Sequence, residues 1–339
     1  MPEPALPFGH TVRCRPHPLR GVAVNRSATV ALTALAPISW GSTYAVASEL
    51  LPPDRPLFTG VMRALPAGLL LVALSRTLPK GAWWWKSAVL GALNIGAFFP
   101  LLFLSAYRLP GGVAAVLGSA GPLFVVGLAA LVLGERARLR TVLAAVTGAF
   151  GVSMVVLTAD AELDLVGLVA GVISSASMAA GTVMTKRWGR PEGVGPLAMT
   201  GWQLTAGGLI IIPVAALVEG APPALDGRAF LGYGYMMLIN TGIAYWLWFR
   251  GIGALTATSV TLLGPLSPLT AAVIGWAALG QTLSPVQLAG MAIAFGATVA
   301  GQLFAGRAPV AREVARSFSP AEQKDRNISM DLSASPVRR

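Results

Sequence analysis

Residues 92–135, ALNIGAFFPLLFLSAYRLPGGVAAVLGSAGPLFVVGLAALVLGE, lie over residues 238–281, LINTGIAYWLWFRGIGALTATSVTLLGPLSPLTAAVIGWAALGQ, without a gap. Eleven of the 44 positions are identical, among them Asn94/Asn240, Gly96/Gly242, Pro122/Pro268 and Gly134/Gly280. Apolar composition alone produces chance matches of Leu and Gly. It does not produce a paired asparagine and a paired proline. Upstream, a shift of 140 brings Gly41 onto Gly181, Arg63 onto Gln203 and Gly68-Leu69 onto Gly208-Leu209. The chain is therefore an internal duplication.

What is duplicated is membrane-spanning. Of 339 residues, 55% are hydrophobic and only 12% charged, against roughly a quarter charged in soluble domains; mean hydropathy is +0.68. Ten apolar stretches can be read, at 28–50, 57–75, 87–107, 111–133, 141–158, 165–185, 195–217, 229–249, 256–280 and 285–305. Each approaches the length of about 20 residues that a bilayer requires, and the loops between them leave no room for a soluble domain. Glycines such as Gly148, Gly151, Gly167 and Gly171 suit close helix packing in such a bundle. The first apolar run is too long for a cleaved signal peptide. The expected organisation is a basic, disordered tail at 1–27, repeat 1 at 28–159, repeat 2 at 162–305 and a second basic, disordered tail at 306–339.

Charge orients the spans. With the N-terminus in the cytoplasm, 21 of the 25 Lys and Arg fall in inner segments and three, Arg55, Arg108 and Arg228, in outer loops; Arg63 is inside a span. This positive-inside bias predicts a multi-pass protein of the bacterial plasma membrane with both termini cytoplasmic. It also explains the net charge of +11 without nucleic acid as a partner. Trp83, Trp84 and Trp85 beside Lys86 fit an interfacial belt on the inner side.

Five spans per repeat is an odd number, so the second repeat enters the membrane from the opposite side. The predicted fold class is all-α: ten transmembrane helices in two inverted five-helix repeats. Alternating-access transporters are built this way, with the solute near the midplane between the halves. An enzyme reading lacks its parts. His10, His17 and Cys14 are all in the N-terminal tail, and no pair of carboxylates lies within the membrane, so neither a catalytic set nor a metal or cofactor site is predicted. Rings of charge or a filter loop, as a channel needs, are missing from the sequence. A membrane sensor that binds a metabolite without moving it is the rival reading. The expected partners are a small-molecule solute and the lipid bilayer; homodimerisation is left open.

Several motifs resemble those of the EamA family in the drug/metabolite transporter superfamily: Trp40-Gly-Ser-Thr-Tyr44, Arg63-Ala-Leu-Pro-Ala-Gly68, Tyr107-Arg-Leu-Pro-Gly-Gly112, Pro122 with Leu133-Gly134-Glu135, and Leu266-Ser-Pro-Leu269 with Leu279-Gly280-Gln281. The resemblance covers residues 28–305. It implies ten helices in two repeats and export of a small metabolite, with the greatest likeness to the subgroup associated with the blue pigment indigoidine.

Candidate solute-binding residues are the polar and aromatic side chains that such a bundle would turn inward. Pro122 and Pro268, at matching points of the two repeats, free backbone carbonyls at mid-membrane, although either alone could be a packing kink. Asn94 and Asn240 are a paired donor–acceptor group suited to a zwitterionic or amide-bearing solute. Thr241, Tyr245 and Trp248 share a helix face, and with Trp246 they offer an aromatic surface for a planar compound or simply for packing. Trp40, Ser42 and Tyr44 in span 1, Phe98 in span 3, and Ser175 and Met178 in span 6, with Ser174 and Thr182 nearby, complete the set. Ser, Thr and Asn could equally tie helices together. Arg63, about 9 Å from the end of its span at 1.5 Å per residue, either attracts a substrate carboxylate or pairs with Glu49 or freed carbonyls; its repeat mate Gln203 suggests a hydrogen-bonding role in both halves. Glu49 is the one carboxylate placed for proton coupling, with facilitated exchange as the alternative. The solute expected from these groups is neutral or zwitterionic, amino-acid-like or planar and aromatic.

Overall fold

The computed structural model describes residues 26–108, 117–135, 138–156, 164–278, 280 and 282–304. Both tails, the expected start of span 4 at 111 and the side chain of Tyr44 are outside this set. Among the described residues the structure is entirely helical. Seven helices are long and apolar enough to cross a membrane: α1 (Arg26–Ala47), α2 (Pro56–Ser75), α3 (Trp83–Ser105), α6 (Leu165–Trp188), α7 (Pro196–Val218), α9 (Ala257–Ala278) and α10 (Pro285–Phe304). Two shorter apolar helices are α4 (Leu117–Leu133) and α5 (Leu139–Val155). The tenth, α8, is made of three consecutive segments, Gly227–Met237, Leu238–Ile243 and Ala244–Ala254.

Local chemistry sets the ends. Asp164 caps α6 by accepting from the Gly167 N–H at 2.7 Å, and Asp226 caps α8 through the Ala229 N–H at 2.8 Å. Ser284 and Gln287 form a reciprocal capping box at the start of α10. The carboxylate of Glu219, from the end of α7, receives the Leu57 and Phe58 N–H groups that open α2. Gly134 and Gly280, a matched pair in the repeat, both take left-handed backbone (φ 65° and 67°) as the chain leaves α4 and α9.

The packing obeys a pseudo-twofold rule: exchanging each helix n for n + 5 maps the helix pairs onto themselves. Helix α2 packs on α7 and α5 on α10; α3 and α4 both pack on α6, as α8 and α9 both pack on α1. The self-paired helices cross at small residues. A side chain at Gly68 would strike the backbone of Thr205, and one at Gly208 would lie 2.8 Å from Leu65; Gly151 and Gly290 do the same for α5 and α10. With five helices per repeat, this exchange is the inverted duplication. Large apolar residues face outward: Leu217 is 87% and Leu303 75% exposed, while asparagine, glutamine and arginine are inside. That is the polarity of a protein solvated by lipid. At the end of the bundle where α1 begins and α10 ends, Lys86 sits over the rings of Trp83, Trp85 and Trp188.

Candidate substrate site

Between the repeats lies a cavity of about 250 Å³. Its walls come from α1, α2, α3, α4, α6, α8 and α9. Two features of the backbone, each repeated in both halves, shape it.

The first is a break in α4 and α9. Helix α4 turns at Ala120 and restarts at Gly121, with Pro122 in its new first turn. Helix α9 leaves regular α geometry between Thr261 and Leu266, where Gly264, Leu266 and Ser267 donate to carbonyls only three residues back. Proline cannot donate and excludes the preceding turn, so both helices are interrupted at matched points. Gly118, Ser119, Gly121 and Pro122 of α4 and Gly264, Pro265, Ser267 and Pro268 of α9 all line the cavity.

The second was not legible in the sequence. The asparagine pair sits in two π-helical turns, Ala92–Gly96 in α3 and Leu238–Ile243 in α8. The N–H of Ala97 reaches back five residues to the Ala92 carbonyl, and that of Ala244 to the Ile239 carbonyl. Such turns widen a helix and recur at functional sites. The paired Asn-x-Gly and Asn-Thr-Gly, two residues from the start of each aligned block, were the available signal.

An aromatic wall lines one side. Trp40 lies 5.0 Å from Tyr245 and 5.1 Å from Trp248, centroid to centroid. Tyr245 meets Phe99 edge-on, and Phe99 continues to Phe98 and Phe103. Met178, Val125 and Ala179 extend the apolar lining. Two lining residues hold buried polar atoms with no partner among the described residues, Trp248 Nε1 and Thr182 Oγ1.

Of the expected residues, Trp40, Arg63, Phe98, Pro122, Ser175, Met178, Tyr245, Trp248 and Pro268 line the cavity. Ser42, Asn94, Asn240, Thr241 and Gln203 do not; these polar groups are spent on ties between helices. Asn240 accepts Thr43 Oγ1 at 3.0 Å and Arg63 Nη2 at 2.6 Å, and donates to the Ser39 carbonyl at 2.6 Å. Its own carbonyl accepts Trp40 Nε1. Asn94 donates to Gln203 Oε1 at 2.9 Å. Thr241 accepts Arg63 Nε, and Ser42 meets the Tyr235 hydroxyl. Ser175 lines the cavity, but its hydroxyl donates to the Leu117 carbonyl, as Ser174 and Ser177 donate to those of Phe98 and Leu93. Trp246 is only partly buried and away from the cavity.

The expected pairing of Arg63 with Glu49 does not form. Arg63 turns across to α8, where its partners are Thr241 and Asn240, and its guanidinium lies 4.9 Å from the Phe99 ring centroid. Glu49 is exposed at the far end of the bundle, where its carbonyl accepts from Arg228. Lining residues absent from the expected set include Thr43, Phe99, Leu102, Phe103 and Thr261.

On the side of the cavity where α1 begins and α10 ends, α4, α6 and α9 pack together. Val125 and Ala129 of α4 pack on Ala179 and Val183 of α6 and on Ala257 of α9. Below them Lys186 Nζ donates to the carbonyls of Ile252 (3.1 Å) and Leu255 (2.7 Å), tying α6 to the end of α8. Glu135, just past α4, is electrostatically coupled to Lys186, and burial pushes its carboxyl above the usual glutamate range against the opposing pull of that lysine.

The sequence profile of the EamA-like transporter family matches this chain twice, over residues 27–157 and 165–300. The chain belongs to that family. Protein PecM of Dickeya dadantii is 43% identical over 293 residues, covering 86% of this chain and 96% of that protein. The uncharacterized inner membrane transporter YedA of Escherichia coli K12 is 29% identical over 262 residues, covering 74% and 82%. A solved crystal structure superposes with a TM-score of 0.70 at 18% identity, over 83% of this chain and 99% of that one, a likeness of fold. The two profile matches fall on the two halves of the pseudo-twofold. The protein is thus a multi-pass membrane protein of a transporter family.

Proposed function

We propose that the chain exports a small neutral or zwitterionic metabolite with a planar aromatic body, amino-acid-like in size, across the bacterial inner membrane. Both termini are cytoplasmic in this reading. The two inverted repeats rock about the cavity, so that the floor closed by Val125, Ala129, Val183 and Lys186 opens on one side as the opposite side closes. The single observation that carries the reading is the cavity itself: set between the repeats, bounded by two helices broken at matched prolines, and walled by Trp40, Tyr245, Trp248 and Phe98. Its volume of about 250 Å³ suits one small ring system and a polar head, at the low end of ligand pockets. The aromatic faces supply stacking area at offset or tilted geometry, and Trp248 Nε1 and Thr182 Oγ1 are donors a bound solute could satisfy.

The test is efflux from proteoliposomes loaded with a panel of aromatic amino acids and small planar metabolites. Saturable efflux of at least one compound is expected, reduced about tenfold or more by Trp248→Ala through lost stacking and packing, and little changed by Trp246→Ala. Equal rates in the Trp248 variant and the wild type would remove the cavity from the transport path.

A further inference from the structure

The second repeat contains a built-in comparison for Arg63. Gln203 occupies the equivalent position on α7, and its asparagine partner on α3, Asn94, is the equivalent of Asn240 on α8. The Gln203–Asn94 bond of 2.9 Å ties α7 to α3 with two neutral amides. Both residues are buried, at 0% and 1% exposure, and neither lines the cavity. The same tie between α2 and α8 is made by a guanidinium, through Asn240 Oδ1 at 2.6 Å and Thr241 Oγ1 at 2.9 Å. An amide suffices for the tie in one half, so the charge in the other half is not needed for it.

That charge is at the cavity. Arg63 is 4% exposed and lines it. All its hydrogen bonds among the described residues go to neutral oxygens, and Nη1 makes none. Among the described residues no carboxylate pairs with it, and the Phe99 ring beneath it adds only a weak attraction. A buried cation without a counter-ion is unfavourable unless an anionic group joins it. The guanidinium is a planar fork matched to a two-oxygen acceptor.

We infer that Arg63 is the group that selects the solute, and that the solute class is an aromatic carboxylate, free or as the carboxylate of an aromatic amino acid. The carboxylate is received at Nη1, and the ring lies against Trp40, Tyr245 and Trp248. This goes beyond the neutral or zwitterionic class proposed above by admitting a free carboxylate, and it rests on the same reading of the cavity.

Binding, not transport, tests it. The purified full chain in detergent is titrated with matched pairs that differ only in charge: benzoate and benzamide, indole-3-acetate and indole-3-acetamide, L-tryptophan and L-tryptophanamide, followed by thermal shift. At least one carboxylate is expected to bind about 10- to 100-fold more tightly than its amide, the range of a hydrogen bond to a charged group. Arg63→Gln, which installs the residue the second repeat uses, should abolish that preference while amide binding persists and reports an intact cavity. Arg63→Lys keeps the charge, without the fork, and should retain part of it. Wild type that binds no carboxylate better than its amide, or Arg63→Gln or Arg63→Lys variants whose discrimination contradicts this order, overturns the assignment. Charge-dependent binding in a protein that moves no solute would uphold Arg63 and reject export.

Discussion

Lys186 ties α6 to the end of α8 beside the cavity, and under the proposed alternating access its removal has a calculable effect. Its ammonium donates to two carbonyls at the end of α8, that of Ile252 in its last turn at 3.1 Å and that of Leu255 just past it at 2.7 Å. Cations are favourable at a helix C-terminus, and hydrogen bonds from charged donors contribute about 1.5–3 kcal/mol when desolvated. Lys186 is only partly buried, so about 1 kcal/mol per bond is the appropriate figure after solvent screening. Together they favour the closed floor by about 2 kcal/mol, or about 30-fold in the closed-to-open equilibrium. Lys186→Met keeps the apolar stem and removes the donors. In a background with Cys14→Ser and Val183→Cys, labelling of position 183 by a membrane-impermeant thiol reagent, applied from the face where α1 begins and α10 ends, should accelerate by about that factor. An acceleration below about threefold would mean that the lysine does not latch the floor.

Three other outcomes follow from the same geometry. Gly68→Leu drives a side chain into the backbone of Thr205 where α2 crosses α7, and should cost about 3 kcal/mol or more by overpacking, lowering the detergent melting temperature; Gly296→Leu, at an exposed glycine of α10 with open space around it, controls for hydrophobicity. Glu135 has its carboxyl raised by burial, so the closed floor binds a proton more tightly than an open, hydrated one. Mild acid should therefore slow labelling at Val183→Cys, the effect should fade as pH rises through the folded-state pKa, and Glu135→Gln should flatten the profile. Asn94→Leu leaves Gln203 Oε1 without its donor at full burial and should destabilise by about 1–3 kcal/mol, measured by thermal unfolding, without altering the discrimination between carboxylates and amides.

Much of the architecture is legible in the sequence because it depends on periodicity and pairing. The spans follow from apolar length. The inversion follows from an odd number of spans per repeat, and the breaks in α4 and α9 follow from Pro122 and Pro268, since a proline acts on its own helix. What could not be read depends on which side chains meet. Asn94 and Asn240 were visible as a pair, yet nothing local says that they occupy π-helical turns and spend their amides on α7, α1 and α2. Arg63 and Glu49 looked matched by depth and charge, but Arg63 faces α8. Trp246 and Trp248 are indistinguishable by composition; their places on the helix put only Trp248 at the cavity. Lys186 reads as one of many inner-face cations, and its role depends on where α8 ends.

Under the proposed alternating access, one cavity between the repeats is exposed to each side of the membrane in turn. Met178 lines that cavity, so Met178→Cys in a Cys14→Ser background, in oriented vesicles, reports on it directly. The account predicts labelling by an impermeant thiol reagent applied from either face, with both rates reduced by the same transported solute. Labelling from one face alone under all conditions, with solute bound but none moved, would contradict alternating access and describe a membrane sensor.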